Sequence, residues 1–155
     1  MNEKLQRADG IEKANPRLFR SLVGGLNYLT HTRPDIAFSV SDVSRFLQSS
    51  TKKHLDAAKR IHRYVSGSTD FGIWYSEVSN FILIGYIDSD YAGCLDNRKS
   101  TSSSCFNFGS GAVTCSSKKY ETVALSPSEA EYTTASLAAR QVLWLWKLLA
   151  DSSYE

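Results

Sequence analysis

The sequence predicts an α+β fold in which helices come first and antiparallel strands and one long helix follow. Three observations support this prediction. Apolar residues recur every three or four positions up to about residue 65, which is helical spacing. From residue 71 onward, short apolar or alternating runs separated by turn residues indicate strands. Helical spacing then returns after a clear start, so the strands and the closing helix are expected to form one layered unit.

Three helices are predicted in the first part, over residues 16–30, 35–47 and 52–65. Pro34 suits the first position of a helix, and Ser50 or Thr51 is placed to cap the third one. The third helix has one apolar stripe, formed by Leu55, Ala58, Ile61 and Val65. Gly67 is a suitable residue to end it.

Four strands are predicted in the second part, over residues 71–75, 81–88, 103–108 and 112–117. The last two flank Gly109-Ser110-Gly111, which is typical of a hairpin turn. The strand at 81–88 carries apolar residues at both sets of alternating positions: Phe81, Leu83 and Ile87 on one face, and Ile82, Ile84 and Tyr86 on the other. Such a strand is predicted to be central and covered on both sides.

The closing helix has a well-defined start. Ser126-Pro127-Ser128-Glu129 places serine at the N-cap, proline first and glutamate third, a capping box in which Glu129 reaches back to the N-cap amide. Positions 131, 135, 138, 142, 145 and 149 share one helical face, and all except Glu131 are Ala, Val or Leu. Glu131 is therefore predicted to point toward the core.

Two carboxylates are candidates for chemistry. Asp88 ends the predicted central strand, and an inward Glu131 is costly unless it is paired or bound to a metal. The structural alternative is a partly exposed strand end for Asp88 and a snorkelling side chain for Glu131. Spacing alone leaves both interpretations open. Asp90 is predicted to lie in the following turn, in water.

Composition limits the classes of protein that fit. A net charge of +2 is too small to indicate nucleic-acid binding by itself. Cys94, Cys105 and Cys115 form no Cys-x-x-Cys pair, so they are expected to be small buried residues rather than zinc ligands or a disulfide framework. No signal peptide or membrane span is evident, which favours a cytoplasmic or nuclear protein without membrane contact.

Ordered motifs along the chain resemble those of copia-type retroelement polyproteins. The segments of the second part that carry this likeness are 85–93 (GYIDSDYAG), 96–102 (DNRKSTS), 117–119 (SKK), 122–126 (TVALS) and 129–132 (EAEY). They are similar to the family's ribonuclease H around its first catalytic aspartate. Upstream, 20–24 (RSLVG), 28–29 (YL) and 32–37 (TRPDIA) resemble the end of its reverse transcriptase.

The likeness covers nearly the whole chain and implies a division into three parts. A polar tail at 1–15 would precede a helical remnant of the reverse transcriptase at 16–70. A truncated ribonuclease H-like domain would occupy 71–155. The expected fold class is therefore α+β, with a helical extension followed by antiparallel strands and a long helix.

The resemblance also implies roles for the carboxylates. Asp88 would match the first metal ligand and Glu131 the second, in an enzyme that cleaves the RNA strand of an RNA–DNA hybrid with two Mg²⁺ ions. The family's third carboxylate belongs to a Cys-Asp-Asn-like motif that this sequence lacks. Asp151 cannot replace it, because the helix separates it from Glu131 by about 30 Å at ~1.5 Å per residue. We therefore expect vestigial ligands, no bound cofactor, and neither nuclease nor reverse-transcriptase activity.

Truncation would also leave a sheet edge without a neighbour. In ribonuclease H-like folds the first strand lies between a hairpin and later parallel strands. Without those later strands, the strand at 81–88 is expected to have a bare apolar edge. Such an edge invites strand addition by a partner, or self-association.

A second resemblance concerns the length and origin of the whole chain, which is similar to RxLR-class secreted effectors of downy mildews, a group of oomycetes. Members enter plant cells and suppress defence-associated cell death. This implies secretion, a site of action in the host cytoplasm or nucleus, and an unknown host plant protein as partner. Arg17-Leu18-Phe19-Arg20 is a degenerate form of the RxLR motif, although its arginines also fit a solvated helix face.

The sequence thus predicts a non-catalytic effector of copia origin. Two alternatives stay open. One is a ribonuclease H that acts on RNA–DNA hybrids with Mg²⁺ and takes its missing ligands from another chain. The other is a decayed fragment without a function.

Overall fold

The computed structural model describes residues 4–7, 10–77 and 82–152, and it has the predicted α+β architecture. Its elements in chain order are α1 (Pro16–Leu29), a 3-10 turn (Pro34–Ile36), α2 (Ala37–Ser44), α3 (Lys52–Ser66), β1 (Leu83–Asp90), β2 (Thr101–Phe108), β3 (Gly111–Lys119) and α4 (Pro127–Ser152). The predicted helices and the predicted hairpin are confirmed. Within the described ranges, no helix has both the length and the apolarity to cross a bilayer.

The helices of the first part pack around one apolar core. The side chain of Asn15 caps α1 by accepting hydrogen bonds from two backbone amides of the first turn, and Pro16 takes the first position. The buried residues of α1 follow the i, i+4, i+7 spacing of a single stripe: Phe19, Val23 and Leu26. This stripe joins apolar residues of α2 and α3 in one buried cluster.

The start of α3 is held by both side-chain and backbone contacts. The amide of Thr51 donates to Nδ1 of His54 at 3.0 Å, and the His54 ring stacks on Phe46 with 3.9 Å between ring centroids. The amide of Lys52 donates to the carbonyl of Glu12 at 2.9 Å, which holds the segment before α1 beside α3. Of the two predicted caps, Thr51 is the one that the fold uses.

Arg33 links the 3-10 turn to the end of α3. Its guanidinium donates to the carbonyl and the hydroxyl of Ser68 at 2.9 and 2.8 Å, just after α3. It also donates to both carboxylate oxygens of Asp35 at 3.0 and 2.8 Å, and Tyr64 donates to the same carboxylate. The hydrogen bonds from Arg33 hold the pKa of Asp35 below its ordinary value. This network fixes where the chain leaves the helices.

The sheet has three antiparallel strands in the order β1-β2-β3. Gly109 adopts a φ of +64° at the turn between β2 and β3, a left-handed conformation that glycine reaches without strain. The ladder between these strands shifts its register once, between Phe106 and Asn107. The pattern predicted for the hairpin is thus confirmed, with each strand longer than expected.

The prediction that the strand at 81–88 is central and covered on both sides is wrong for the described part of the chain. Here β2 is central, and β1 lies at the edge with β2 as its one neighbour. The strand runs from Leu83 to Asp90, while Phe81 lies outside the described residues. Tyr86 is 63% and Ile87 47% exposed. Apolar residues on both faces indicate that a strand needs covering, but they do not say which chain covers it.

Residues 71–75 do not form the predicted strand. They run as an irregular segment along the hairpin, where the hydroxyl of Tyr75 donates to the carbonyl of Ala112 at 2.6 Å. The ring of Tyr75 lies so close to Gly111 that a Cβ there would be 2.8 Å away. The ring of Tyr75 thus packs against the turn, and the segment forms no backbone ladder with the hairpin.

Two cysteines correct a second prediction. Cys105 and Cys115 are direct partners across β2 and β3, with Cα atoms 4.0 Å apart, and they form a disulfide. The expectation of isolated buried thiols was therefore wrong for this pair. Their spacing along the sequence gives no hint of the bond, because only the hairpin register brings them face to face.

The long helix α4 begins where the sequence predicts. The hydroxyl of Ser126 accepts from the amide of Glu129 at 3.1 Å, and Pro127 is the first helical residue. The Glu129 carboxylate accepts from the amide of Leu125 at 2.7 Å, one residue before the expected N-cap amide. From this start α4 lies over the sheet and packs more extensively on β1 than on β2.

The packing of α1 gives the first testable prediction. Phe19 is fully buried and Leu18 beside it is 51% exposed. Phe19→Ala is expected to lower the free energy of unfolding by about 3–5 kcal/mol, because it leaves a cavity in the core. Leu18→Ala, the matched control, should change it by no more than about 0.5 kcal/mol. Denaturant unfolding measures both, and equal losses for the two variants would contradict this packing.

Candidate functional site

Asp88 lies near the end of β1, opposite Ser103 in the ladder. Strand alternation places its side chain on the same face as Tyr86 and Asp90. All three side chains are exposed. The aspartate that the sequence singled out is therefore a solvent-facing group on an edge strand.

Asp90 does not lie in a turn, as predicted, but is the last residue of β1, paired with Thr101. Its carboxylate approaches the backbone of Gly93 so closely that a Cβ there would be 1.7 Å from Oδ2. Glycine at position 93 thus allows the chain to turn back over the strand end. Asp90 helps to shape this turn from within the strand.

Glu131 is exposed, so the prediction that it points toward the core is wrong. The buried positions at the start of α4 are Ala130 and Thr134. The hydroxyl of Tyr120 donates to the carbonyl of Ala130 at 2.7 Å and lies 2.5 Å from the hydroxyl of Thr134. At the start of α4 these contacts place Ala130, which lies about 100° around the axis from Glu131 at 3.6 residues per turn, on the inward face, while Leu145 of the predicted face is buried further along.

The two carboxylates sit on elements that pack together, since α4 lies over β1. Neither the Asp88 nor the Glu131 side chain has a hydrogen bond or ion pair with another described residue. Across the described ranges, no three His, Cys, Asp or Glu residues are grouped to hold a metal ion. Oxygen ligands of this type suit Mg²⁺, but a two-ion centre needs more of them. These residues alone do not fit that metal pair.

The degenerate RxLR-like segment lies inside α1. Arg17, Leu18 and Arg20 are exposed, whereas Phe19 belongs to the core. The side chain of Arg20 donates from Nε to the carbonyl of Leu47 at 3.3 Å. The segment is therefore part of a packed helix, and the residue at its third position, Phe19, is required by the core.

A cleft of about 960 Å³, which no sequence pattern predicts, lies between α2, α3 and the loop after β1. Cys94 on its wall accepts a hydrogen bond from the Lys119 ammonium at 3.0 Å. Burial alone would raise the pKa of the Cys94 thiol, but Lys119 and the backbone amides of Asn97 and Asp96 outweigh it and hold that pKa below its ordinary value. These groups come together only through the fold.

Asp42 on the same wall is half-buried and forms an ion pair with Arg45 at 3.2 Å. Burial raises the pKa of the Asp42 carboxyl, although nearby Arg45 and His54 act against this. The cleft therefore contains a carboxyl group that folding makes harder to ionise.

Comparison with known proteins places the chain among mobile-element sequences. It is 36% identical over 148 residues to a "Retrovirus-related Pol polyprotein from transposon RE1" of Arabidopsis thaliana, and 43% identical over 134 residues to the corresponding protein from transposon TNT 1-94 of Nicotiana tabacum. These alignments cover 96% and 86% of this chain but 10% of each polyprotein.

A shorter relative is similar over most of its own length. "Secreted RxLR effector protein 161" of Plasmopara viticola is 38% identical over 128 residues, which is 82% of this chain and 90% of that protein. No family model and no solved structure matches the chain.

These relatives define the chain as a segment of a retroelement polyprotein. Its fold combines helices, a three-stranded sheet with an edge aspartate, and a long covering helix. The chain belongs to the family of copia-type retrotransposon Pol polyproteins. It spans a tenth of the length of the polyproteins that it matches.

Asp42 gives a prediction for the dependence of stability on pH. A folded pKa above the unfolded one means that its contribution to stability falls as the pH rises through the window between the two, starting near about 3.9. Asp42→Asn removes this loss, so the variant should gain stability relative to the parent on going from acid to neutral pH. Urea unfolding at about pH 3 and about pH 7 measures the difference.

Asp56→Asn is the matched control, because Asp56 is an exposed aspartate on α3 near the same cleft. Its stability difference from the parent should change less between the two pH values. If the two variants respond to pH in the same way, burial of the Asp42 carboxyl does not contribute to the pH dependence of stability.

Proposed function

We propose that the chain acts as a binding protein through the free edge of β1 and the apolar surface beside it, and not as a nuclease. In a plant, this activity would be that of a secreted effector that suppresses host cell death. The occupant of the edge is an extended protein segment that adds a strand to the sheet.

The outward backbone of β1 is the observation that carries this proposal. The amide of Gly109 donates to the carbonyl of Ile82 at 3.2 Å, so these two residues form a hydrogen-bonded pair. Such pairs recur at every second residue of an antiparallel ladder. The residues between them therefore direct their amides and carbonyls away from β2: Leu83, Gly85, Ile87 and Ser89.

The spacing on the other side of β2 agrees with this assignment. If Cys105 directs its backbone groups toward Tyr86, it must face Cys115 as a non-hydrogen-bonded pair. The 4.0 Å between the two Cα atoms is the close spacing that belongs to such a pair. The edge of β1 thus offers donors and acceptors in the order that an added strand requires.

The effector role is supported by the short Plasmopara viticola relative, over 90% of whose length this chain aligns. An unidentified host plant protein is the proposed target, and the host cytoplasm or nucleus is the proposed site of action.

Leaf expression tests this proposal. The parent chain is expected to reduce cell death triggered by an elicitor. Ile87→Pro should abolish that reduction, because proline removes an outward amide of β1, a change that an edge strand tolerates. Ile87→Val keeps the amide and the side-chain shape and should act like the parent.

Ion leakage from the leaf, at matched protein levels on an immunoblot, is the measurement. Undiminished cell death with the well-expressed parent chain would reject the effector role. A fully active Ile87→Pro variant would leave an effector that does not work through this edge.

Ribonuclease H action with ligands from another chain is the second candidate. One observation favours it: the elements that carry Asp88 and Glu131 pack against each other. In this case Mg²⁺ would bind only when a second polypeptide supplies further carboxylates, and the substrate would be an RNA–DNA hybrid.

A cleavage assay distinguishes the two candidates. The isolated chain with Mg²⁺ and a labelled RNA–DNA hybrid should release no more product than a variant that combines Asp88→Asn and Glu131→Gln. The reason is that two carboxylates supply fewer oxygen ligands than a two-ion centre needs. Product that appears with the parent chain and disappears with the double variant would restore the nuclease.

A further inference from the structure

We infer that in the free protein the edge of β1 is occupied by the β1 strand of a second copy of this chain, in antiparallel orientation and centred on Tyr86, so that a host strand would have to replace it. The inference rests on the proposed function in one respect, namely that the edge accepts a strand. It predicts a two-fold dimer with a continuous six-stranded sheet.

The backbone pattern selects the register. Leu83, Gly85, Ile87 and Ser89 are the outward residues, and an antiparallel partner must pair outward residues with outward residues. One symmetric register uses all of them, with Gly85 opposite Ile87 and Leu83 opposite Ser89 of the other copy. It forms roughly eight hydrogen bonds between the copies. A shift by two residues leaves part of this set unpaired.

Charge supports the same arrangement. The charged residues of β1 are Asp88 and Asp90, both near its end. In the antiparallel register, Asp88 lies opposite Ile84 of the other copy and Asp90 opposite Ile82. A parallel pairing in register would place each aspartate beside its own copy, and like charges directly opposite each other destabilise a sheet. Antiparallel self-pairing of β1 therefore avoids the repulsion between aspartates that parallel pairing in register would cause.

The covering helix supplies apolar surface to the same contact. A two-fold axis perpendicular to the sheet keeps both copies of α4 on one face, and α4 lies toward the β1 side. Leu143, Trp144 and Trp146 of this helix are exposed, Trp146 to 63%. Two neighbouring copies of α4 would lie on either side of the axis, and large exposed apolar residues on such a helix are typical of a surface that a partner covers.

Cysteine cross-linking tests the register. Tyr86 faces its own copy as a non-hydrogen-bonded pair, with Cα atoms about 4.5 Å apart. Tyr86→Cys in a Cys94→Ser background should therefore form a disulfide-linked dimer under mild oxidation. Ile84→Cys in that background is the matched control, on the same face of the same strand. Its two copies would be about 13 Å apart, beyond the reach of a disulfide.

The oligomeric state is measured in parallel by sedimentation. The parent chain and Ile87→Val are expected to be dimers, and Ile87→Pro a monomer with its unfolding transition retained. A monomeric parent, or cross-linking at 84 as efficient as at 86, would overturn the inference. If Ile87→Pro fails to fold, the ratio of cross-linking at 86 to that at 84 still decides the register.

The outcomes also separate this inference from the proposed function. A monomeric parent chain whose leaf activity is lost in Ile87→Pro would indicate a host strand at the edge, so the dimer would fail and the binding function would stand. A dimer with the 86-specific cross-link but no leaf activity would support the self-pairing and reject the effector role.

Discussion

The backbone ladder between β1 and β2 is the constraint on which the other features of the second part depend. Its register decides which residues of β1 turn outward and which face Asp88 occupies. A slip by one residue would reverse both. Gly85 contributes to this fit, because a Cβ there would lie 2.7 Å from the ring of Phe106, its partner on β2. The close approach of ring and backbone favours one alignment.

The helical part depends on a different kind of contact. Arg33 is buried, and its guanidinium binds the carboxylate of Asp35 and the end of α3 at once. A buried arginine is costly unless its donors are satisfied, so this network holds only while α2 and α3 keep their relative positions. Since the chain leaves the helices at Ser68, the same contact sets where the segment toward the sheet begins.

Sequence patterns predicted what depends on neighbours along the chain. The predicted helix starts at Thr51 and Ser126 are local, because a capping side chain meets amides two or three residues away. The direction of Glu131 is not local. Tyr120, outside the helix, fixes the rotation of α4, and a rotation by one residue moves Glu131 from the core face to the solvent. The prediction failed at the start of the helix, whereas Leu145 on the same predicted stripe is buried.

Partner choice between elements was the other unpredictable quantity. The composition of 71–75 is typical of a strand, yet the segment forms no ladder. The hydroxyl of Tyr75 instead donates to a hairpin carbonyl. The pairing of Cys105 with Cys115, and the place of Cys94 beside Lys119, likewise exist only after the strands have aligned. Family likeness pointed to the carboxylates Asp88 and Glu131, but it did not determine their surroundings.

Binding at the free edge of β1 depends on the exposed apolar side chains near it as well as on its backbone. A backbone hydrogen bond contributes about 0.5–1.5 kcal/mol net, while association costs about 4–15 kcal/mol. An added strand that contacts the backbone alone would therefore bind weakly. Burying a large apolar side chain contributes about 1.5–3 kcal/mol, and both β1 and α4 expose such side chains, Tyr86 and Trp146 included. The backbone pattern of β1 selects how a strand aligns, and the apolar side chains around it determine whether that strand stays bound.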